Sequence, residues 1–294
     1  MKSVSSLAVL GLLSNATVWG LSWLPFRSLA EAGVHPLWAT GVIYAAATLV
    51  VVIARPQTLR AFGAAPGLFA LALASGLTNA AFNSAVAFGD VVRVVLLFYL
   101  MPVWAVVLAR ILLGEPITTA ALARIAVGVC GAMLVLHEPG TGWPLPRSLT
   151  DALAIAGGAC FALNNVALRG LAHCSEASRT VAMLVGGALF ALGAGALLAA
   201  GGVVQWPAFG ATGVPGTLAL WSVLFLLANL GLQYGAARLT ANLTALIMLS
   251  EVLVASSSSW WLGASELRAQ DLLGGALILL APWLFARRRG ATGQ

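Results

Sequence analysis

The sequence predicts an all-α, polytopic membrane protein. Only 8% of its 294 residues are charged, whereas an ordinary soluble domain carries about 25% charged residues. Hydrophobic residues make up 61% of the chain before its 32 glycines are counted. A soluble domain of this length cannot hide so much apolar surface, because folding never covers all of it. The composition therefore excludes a cytosolic enzyme, a disordered protein and a nucleic-acid-binding protein, and it makes lipid the solvent for most of the chain.

The apolar stretches predict ten transmembrane helices, since a bilayer-spanning helix needs roughly 20 mostly apolar residues. The stretch 180–237 has no charge over its whole length and is too long for one helix. Turn residues and an interfacial tryptophan divide it at 201–215 into two spans. The predicted spans are 4–26, 32–54, 61–89, 94–109 continuing past Arg110, 119–136, 152–168, the two within 180–237, 239–262 and 272–286.

The distribution of basic residues predicts that both termini are cytoplasmic. With ten spans the termini share one side, and eleven of the fifteen Lys and Arg residues then fall on that side, including Lys2 and Arg287–Arg289. The other four, Arg27, Arg93, Arg147 and Arg268, fall outside. This bias satisfies the positive-inside rule, and the opposite orientation would invert it.

The two halves of the chain show a weak internal repeat, which divides it into five-helix units at 1–140 and 150–290. Because five is an odd number, the second unit must insert upside down, as in the inverted repeats of secondary transporters. Such a repeat predicts a central cavity between the units. The first helices of the two units match at Trp19, Ser22 and Arg27, which correspond in order to Phe161, Asn164 and Arg169. The third helices match at Asn79 and Asn83, which correspond to Asn229 and Gln233.

Three segments carry a resemblance to a known family. Tyr99–Val103 contains a proline within the fourth span, Leu112–Pro116 reads Leu-Leu-Gly-Glu-Pro, and Ser250–Ser259 reads Ser-Glu-Val-Leu-Val-Ala-Ser-Ser-Ser-Ser. With the two five-helix halves, they resemble the EamA-type transporters of the drug/metabolite transporter superfamily. The third segment resembles the YddG-type exporters of aromatic amino acids. Ala264-Ser265 departs from the repeated motif by separating Gly263 from Glu266.

The resemblance implies an inner-membrane protein of a bacterium that exports amino acids, especially aromatic ones, with organic cations as a further substrate class. From the residues themselves, which contain no Cys/His cluster and no phosphate-binding loop, we expect no cofactor and no metal. We expect the partners to be a small-molecule substrate and the lipid bilayer, with no nucleic acid, and the protein to be a monomer.

Polar and aromatic residues inside the spans are the candidate substrate-binding residues. Polar groups in hydrocarbon are costly and usually face the bundle interior. Amides can hydrogen-bond both ends of a zwitterion, and rings can stack on an aromatic side chain. The alternative is that these side chains join helices, since Asn, Gln and Ser also hydrogen-bond across interfaces. The candidates are Trp19, Asn79, Asn83, Tyr99, Asn164, Asn229, Gln233 and Glu251.

Glu251 is the acid nearest to the middle of a span. A carboxylate there must be paired or protonated. It could carry a proton, attract an ammonium group, or hydrogen-bond across to the fourth span, and we favour the last, structural role.

Three other functions compete with amino acid export. Nucleotide sugars or phosphorylated sugars would require Lys or Arg deep in the cavity, and every Arg lies near a predicted helix end. A membrane enzyme would need paired acids, a His cluster or a nucleophile with its base, so we expect no enzyme. A channel is disfavoured because an inverted repeat favours alternating access.

Overall fold

The computed structural model describes residues 6–284, except 61–64, 115, 138–142, 144, 172, 237 and 240. Within these residues all of the regular secondary structure is helical, and a 3₁₀ helix spans Pro56–Arg60. The α-helices are α1 Ser6–Gly20, α2 Trp23–Glu31, α3 Pro36–Ala54, α4 Gly67–Phe88, α5 Val91–Phe98, α6 Met101–Leu113, α7 Thr119–Leu136, α8 Leu149–Gly170, α9 Glu176–Ala200, α10 Val214–Ala236, α11 Ala241–Met248, α12 Ser250–Trp261 and α13 Ala269–Leu284.

Eight helical stretches among the described residues are long and apolar enough to cross a membrane. They run from Ser6–Glu31 to Val214–Gly235 and correspond to the first eight predicted spans. The predicted ninth span contains two short helices, α11 and α12, and the predicted tenth overlaps the 16-residue α13, which begins three residues earlier. The chain is thus a multi-pass helical membrane protein, and the number of ten spans stays a prediction.

Local sequence signals begin and end several of these helices. The side chains of Asp90, Thr118, Ser148 and Ser175 each accept a hydrogen bond from the backbone three residues later. These bonds satisfy amide groups that the first helical turn leaves without a partner. Gly114, with a φ of +67°, ends α6 in the left-handed conformation that glycine adopts without a steric cost.

Three of the long stretches are interrupted near their middle. The breaks lie at Leu21–Ser22 between α1 and α2, at Tyr99–Leu100 between α5 and α6, and at Leu249 between α11 and α12. At each break a backbone amide bonds three residues back rather than four, as in a 3₁₀ turn. Pro102 explains the second break, because its ring cannot sit inside a continuous helix. The sequence predicted a proline bend in the fourth span but not the interruption of the ninth.

Helix α1 runs antiparallel to α10. Gly11 meets Gly231, and further along α1 Trp19 meets Phe225 earlier in α10. A β-carbon on Gly231 would lie 2.7 Å from the carbonyl oxygen of Gly11. The absence of side chains at both positions therefore allows the two backbones to approach closely, as in other membrane helix pairs.

Helix α4 runs parallel to α1 and antiparallel to α8. The Trp19 ring of α1 lies beside Phe82, and Arg27 of α2 donates a hydrogen bond to the carbonyl oxygen of Val86. Residue numbers therefore rise in the same direction along the α1–α2 stretch and along α4. Along α8 the order reverses, because the start of α4 contacts Leu171 and its later part contacts Gly157. Helices α1 and α8, the first helices of the two predicted repeats, therefore run in opposite directions.

A polar network joins distant parts of the chain at the end of the bundle where α2 ends and α5 begins. Arg93 donates two hydrogen bonds to the Asp151 carboxylate, at 2.8 and 2.9 Å, and both side chains are buried. Arg27 donates to the carbonyl oxygens of Gly89 and Ala264. This is the end that the charge distribution predicts to face outward, and we call it the α5-side end. The opposite end, where α1 begins, is called the α1-side end.

Parts of the orientation prediction lie outside the described residues. These are Lys2 and Arg287–Arg289. Glu115 of the Leu112–Pro116 segment also lies outside the described residues.

Candidate functional site

Five aromatic rings from five helices form a continuous cluster in the interior of the bundle. Trp19 lies 4.7 Å from Phe225 and 6.4 Å from Phe82, measured between ring centroids. Phe82 lies 4.6 Å from Phe98, which lies 5.6 Å from Phe161. These separations are those of tilted or edge-to-face pairs, the arrangement that aromatic side chains prefer. We call these five residues the ring layer.

An amide side chain lies about one helical turn from four of these rings. Asn15 precedes Trp19 by four residues and Asn79 precedes Phe82 by three, on two parallel helices. On the helices that run the other way, the amides follow their rings, Asn164 after Phe161 and Asn229 after Phe225. All four amides therefore lie on the α1-side of the ring layer, about 4.5–6 Å along the helix axes. We call Asn15, Asn79, Asn164 and Asn229 the amide layer.

Asn79 and the neighbouring Asn83 are held by bonds to α3 and to their own helix. The Asn79 oxygen accepts a hydrogen bond from the Tyr44 hydroxyl at 2.5 Å, and its nitrogen donates to the carbonyl oxygen of Ser75 at 2.8 Å. Asn83 donates to the Thr40 hydroxyl at 2.9 Å. These bonds are of the helix-joining kind that the sequence left open as the alternative to substrate binding.

Asn229 and Gln233 form a hydrogen-bonded pair on α10. Gln233 donates to the Asn229 oxygen at 2.7 Å and to the Thr180 hydroxyl of α9 at 3.1 Å. Both side chains are only partly buried. The shared face predicted for the two residues is therefore present, and the pair also links α10 to α9.

Asn15 and Asn164 have buried polar atoms without a partner among the described residues. Each is 1% exposed. Neither the oxygen nor the nitrogen of the Asn15 amide has a hydrogen-bond partner, and the Asn164 oxygen has none. A buried amide without a partner is costly, so such groups mark places where water or a ligand can supply the missing bonds.

Tyr99 and Glu251 meet where two of the interrupted spans adjoin. The Tyr99 hydroxyl donates a hydrogen bond to the Glu251 carboxylate at 3.3 Å. This bond is the link across to the fourth span that we expected of Glu251. Gly20, beside the first break at Leu21–Ser22, packs against the Glu251 backbone, where a β-carbon would lie 2.8 Å from the carbonyl oxygen. The three breaks therefore converge beside the ring layer.

Interrupted helices at mid-depth are typical of transporter binding sites. Their broken turns leave backbone groups that a substrate or ion can use, in an interior where polar groups are otherwise scarce. Trp19, Tyr99 and Glu251 are the predicted site residues that lie at this convergence.

Sequence analysis missed most of the ring layer. Phe82, Phe98 and Phe225 are ordinary phenylalanines in apolar spans, and only the helix directions bring them together. It also missed Arg124, which lines a small cavity of about 10 Å³ together with Tyr99. Arg124 lies near the start of α7, so its sequence position indicated an interfacial residue.

A second, larger cavity of about 510 Å³ opens at the α5-side end. Its volume is within the range of small-molecule sites. The lining includes the Arg93–Asp151 pair and the loop at Gly263–Glu266, and it is mixed in charge. It lies beyond the ring layer and gives the bundle a polar mouth at this end.

Comparison with solved structures shows that the whole chain has a known fold. Fifteen chains match. One of them, described only as the crystal structure of a protein, superposes with a TM-score of 0.58 at 19% identity, and the match covers 99% of this chain and 100% of that chain. No curated protein sequence matches.

A family model matches residues 6–137, a little less than half of the chain. Residues 6–137 match the EamA-like transporter family. This family consists of transporters, which agrees with the expectation that the protein is not an enzyme. The match agrees with the eight apolar helices found among the described residues. Residues 6–137 of this chain are thus similar to the EamA-like transporter family.

Proposed function

We propose that this protein is a secondary transporter that exports amino acids, aromatic ones in particular, across the inner membrane of a bacterium by alternating access. The observation that supports this substrate class best is the pairing of the ring layer with the amide layer. A substrate for such a site should carry an aromatic group at one end and hydrogen-bonding groups at the other.

Aromatic amino acids have this form. A single methylene group separates the ring from the carbon that bears the ammonium and carboxylate groups. The ring could stack in the ring layer while the charged groups lie about one helical turn away, among the amides. Neutral amides can bind both groups without the cost of a fixed charge in the membrane interior.

The convergence of the three breaks is the proposed point of movement. Two rigid half-spans joined by a broken turn can change their angle with little loss of hydrogen bonding. We propose that Tyr99 and Glu251 respond to the substrate there, either through its ammonium group or through the loss of their mutual bond. In this proposal Asn79, Asn83 and Gln233 shape the site while they join helices.

Anionic substrates such as nucleotide sugars are the second candidate class. Arg124 favours them, because it lines the same small cavity as Tyr99. However, the cavity that the two residues share has room for about one water molecule. Organic cations are the third class, and Glu251 would be their counter-charge.

Counterflow in proteoliposomes separates these classes. The purified protein is reconstituted with a panel of unlabelled amino acids, nucleotide sugars and quaternary cations inside, with and without a proton gradient. Uptake of labelled L-phenylalanine driven by internal aromatic amino acids supports the proposal. Exchange restricted to nucleotide sugars or to cations would replace it with the corresponding alternative.

We also propose that both termini are cytoplasmic, so that the α5-side end faces outward. Labelling of single cysteines from either side of the membrane tests this orientation. A cysteine at Ala291 that reacts only from the outside would reverse it.

A further inference from the structure

Asn15 is a buried amide for which the described protein provides no partner. It is 1% exposed, and both of its polar atoms lack a hydrogen bond. It lies on the buried face of α1, with Leu12 before it and Gly20 after it. Lipid is therefore not its neighbour, and an apolar residue would fit the same surroundings without the cost of desolvating an amide.

The contacts of α1 place Asn15 on the α1-side of the ring layer. Gly11 meets Gly231 and Trp19 meets Phe225, so Asn15, midway between them, lies level with Ala228. One residue beyond Ala228 is Asn229, whose oxygen already accepts from Gln233. In Asn15, by contrast, both hydrogen-bonding atoms are buried and lack a partner among the described residues.

We propose that Asn15 is a specificity-determining residue that binds the charged end of the transported amino acid while Trp19, one turn away, contacts its ring. This inference rests on the proposed function and adds a contact for the ammonium and carboxylate end. The amide oxygen can accept from an ammonium group, and the amide nitrogen can donate to a carboxylate. In this proposal, substrate and water reach Asn15 from the α1-side end when the transporter opens on that side.

Asn79 provides a matched control. It is also a buried asparagine of the amide layer, but its oxygen and nitrogen are bonded to Tyr44 and Ser75. Asn15→Ala removes an amide that is not holding the structure together, whereas Asn79→Ala leaves the Tyr44 hydroxyl without its partner. Asn79→Ala should therefore lower the stability of the fold, whereas Asn15→Ala should impair transport without lowering stability.

The first experiment compares Asn15→Ala, Asn79→Ala and the unmodified protein. Thermal unfolding in detergent should show that Asn15→Ala melts at or above the temperature of the unmodified protein, and that Asn79→Ala melts below it. In L-phenylalanine counterflow, Asn15→Ala should lose about ten- to a hundredfold in kcat/KM, as for a lost hydrogen bond to a charged group. A melting temperature of Asn15→Ala that falls as far as that of Asn79→Ala would show a structural role and overturn the proposal.

The second experiment does not depend on the transported substrate. Asn15→Cys is made in a background in which Cys130, Cys160 and Cys174 are replaced by alanine, and it is exposed to a small hydrophilic methanethiosulfonate reagent. Modification is expected, because the proposal places Asn15 on a water-accessible path, and L-phenylalanine should slow it. A thiol that does not react overturns the inference. If the unmodified protein shows no L-phenylalanine counterflow but the thiol reacts, the proposed substrate is wrong while the water-accessible site at Asn15 stands.

Discussion

Replacement of Arg93 by Gln tests the role assigned to the polar network at the α5-side end. The guanidinium group of Arg93 forms two hydrogen bonds with Asp151, and the exposed fractions of the two side chains are 9% and 3%. Removing one member of a buried pair leaves the other charge uncompensated, which typically costs about 3–5 kcal/mol. Arg93 also donates to the carbonyl oxygen of Val135 at 3.1 Å, a bond that the variant loses as well. We therefore expect Arg93→Gln to lower the free energy of unfolding by about 3–5 kcal/mol.

The assay is reversible unfolding in mixed micelles, followed by circular dichroism. Arg110→Gln is the control, because Arg110 is exposed and makes a long bond of 3.4 Å to the Gly114 carbonyl. It should change the free energy by less than about 1 kcal/mol. The double variant Arg93→Met/Asp151→Leu removes both charges and should lose less than Arg93→Gln alone. A loss below about 1 kcal/mol for Arg93→Gln, similar to that of the exposed control, would refute the reasoning.

Three further predictions follow from single contacts. Glu251→Gln keeps a hydrogen-bond acceptor for Tyr99, so this variant should transport with little change in pH dependence. Glu251→Ala, which has no such acceptor, should fold or transport poorly. A well-folded Glu251→Gln variant without transport would point to proton coupling or direct substrate recognition. Gly231→Ala should lose about 1–3 kcal/mol of stability, because its β-carbon would press on Gly11. Gly216→Ala is the control and should lose no such stability, because Gly216 lies in open space on the same helix. Equal effects of the two substitutions would exclude a close approach of α1 and α10. Burial lowers the pKa of His35, whose ring nitrogen accepts a hydrogen bond from the Leu37 amide at the start of α3. The neutral ring therefore contributes stability above about pH 6.5, and this stability is lost as the pH falls through the lowered pKa. His35→Asn should flatten this part of a pH-dependent melting series, and an unchanged slope would assign the pH dependence to another group.

The sequence predicted the spans well because the bilayer imposes one length on every membrane helix. Charge-free stretches and turn residues located eight spans that the structure contains. The prediction was poorest at the ninth span, where Leu249 separates two short helices. Nothing in the composition of 239–262 signals that break, since it contains no proline and no glycine before Gly263.

The candidate site was only partly predictable for a different reason. Polar residues within spans are conspicuous in a sequence, so Asn79, Asn164 and Glu251 could be selected directly. Hydrogen-bond partners could not be predicted in the same way. Tyr44 and Thr40 reach Asn79 and Asn83 of α4 only because α3 packs against that helix. Phenylalanines such as Phe82 and Phe98 carry no signal that distinguishes an interior cluster from a lipid-facing surface. Only the directions of the helices bring the rings and amides into two layers.

The central claim is that the ring layer binds the aromatic group of an amino acid. The measurement that tests it most directly is counterflow of labelled L-phenylalanine by the unmodified protein and by Phe161→Ala, with Phe69→Ala as the control. Phe161 contacts Phe98 within the ring layer, whereas Phe69 is 61% exposed at the surface of α4. The account predicts that the unmodified protein and Phe69→Ala exchange L-phenylalanine, and that Phe161→Ala folds normally but loses about tenfold or more in kcat/KM. Equal exchange by Phe161→Ala and Phe69→Ala, or no exchange of any amino acid by the unmodified protein, would contradict it.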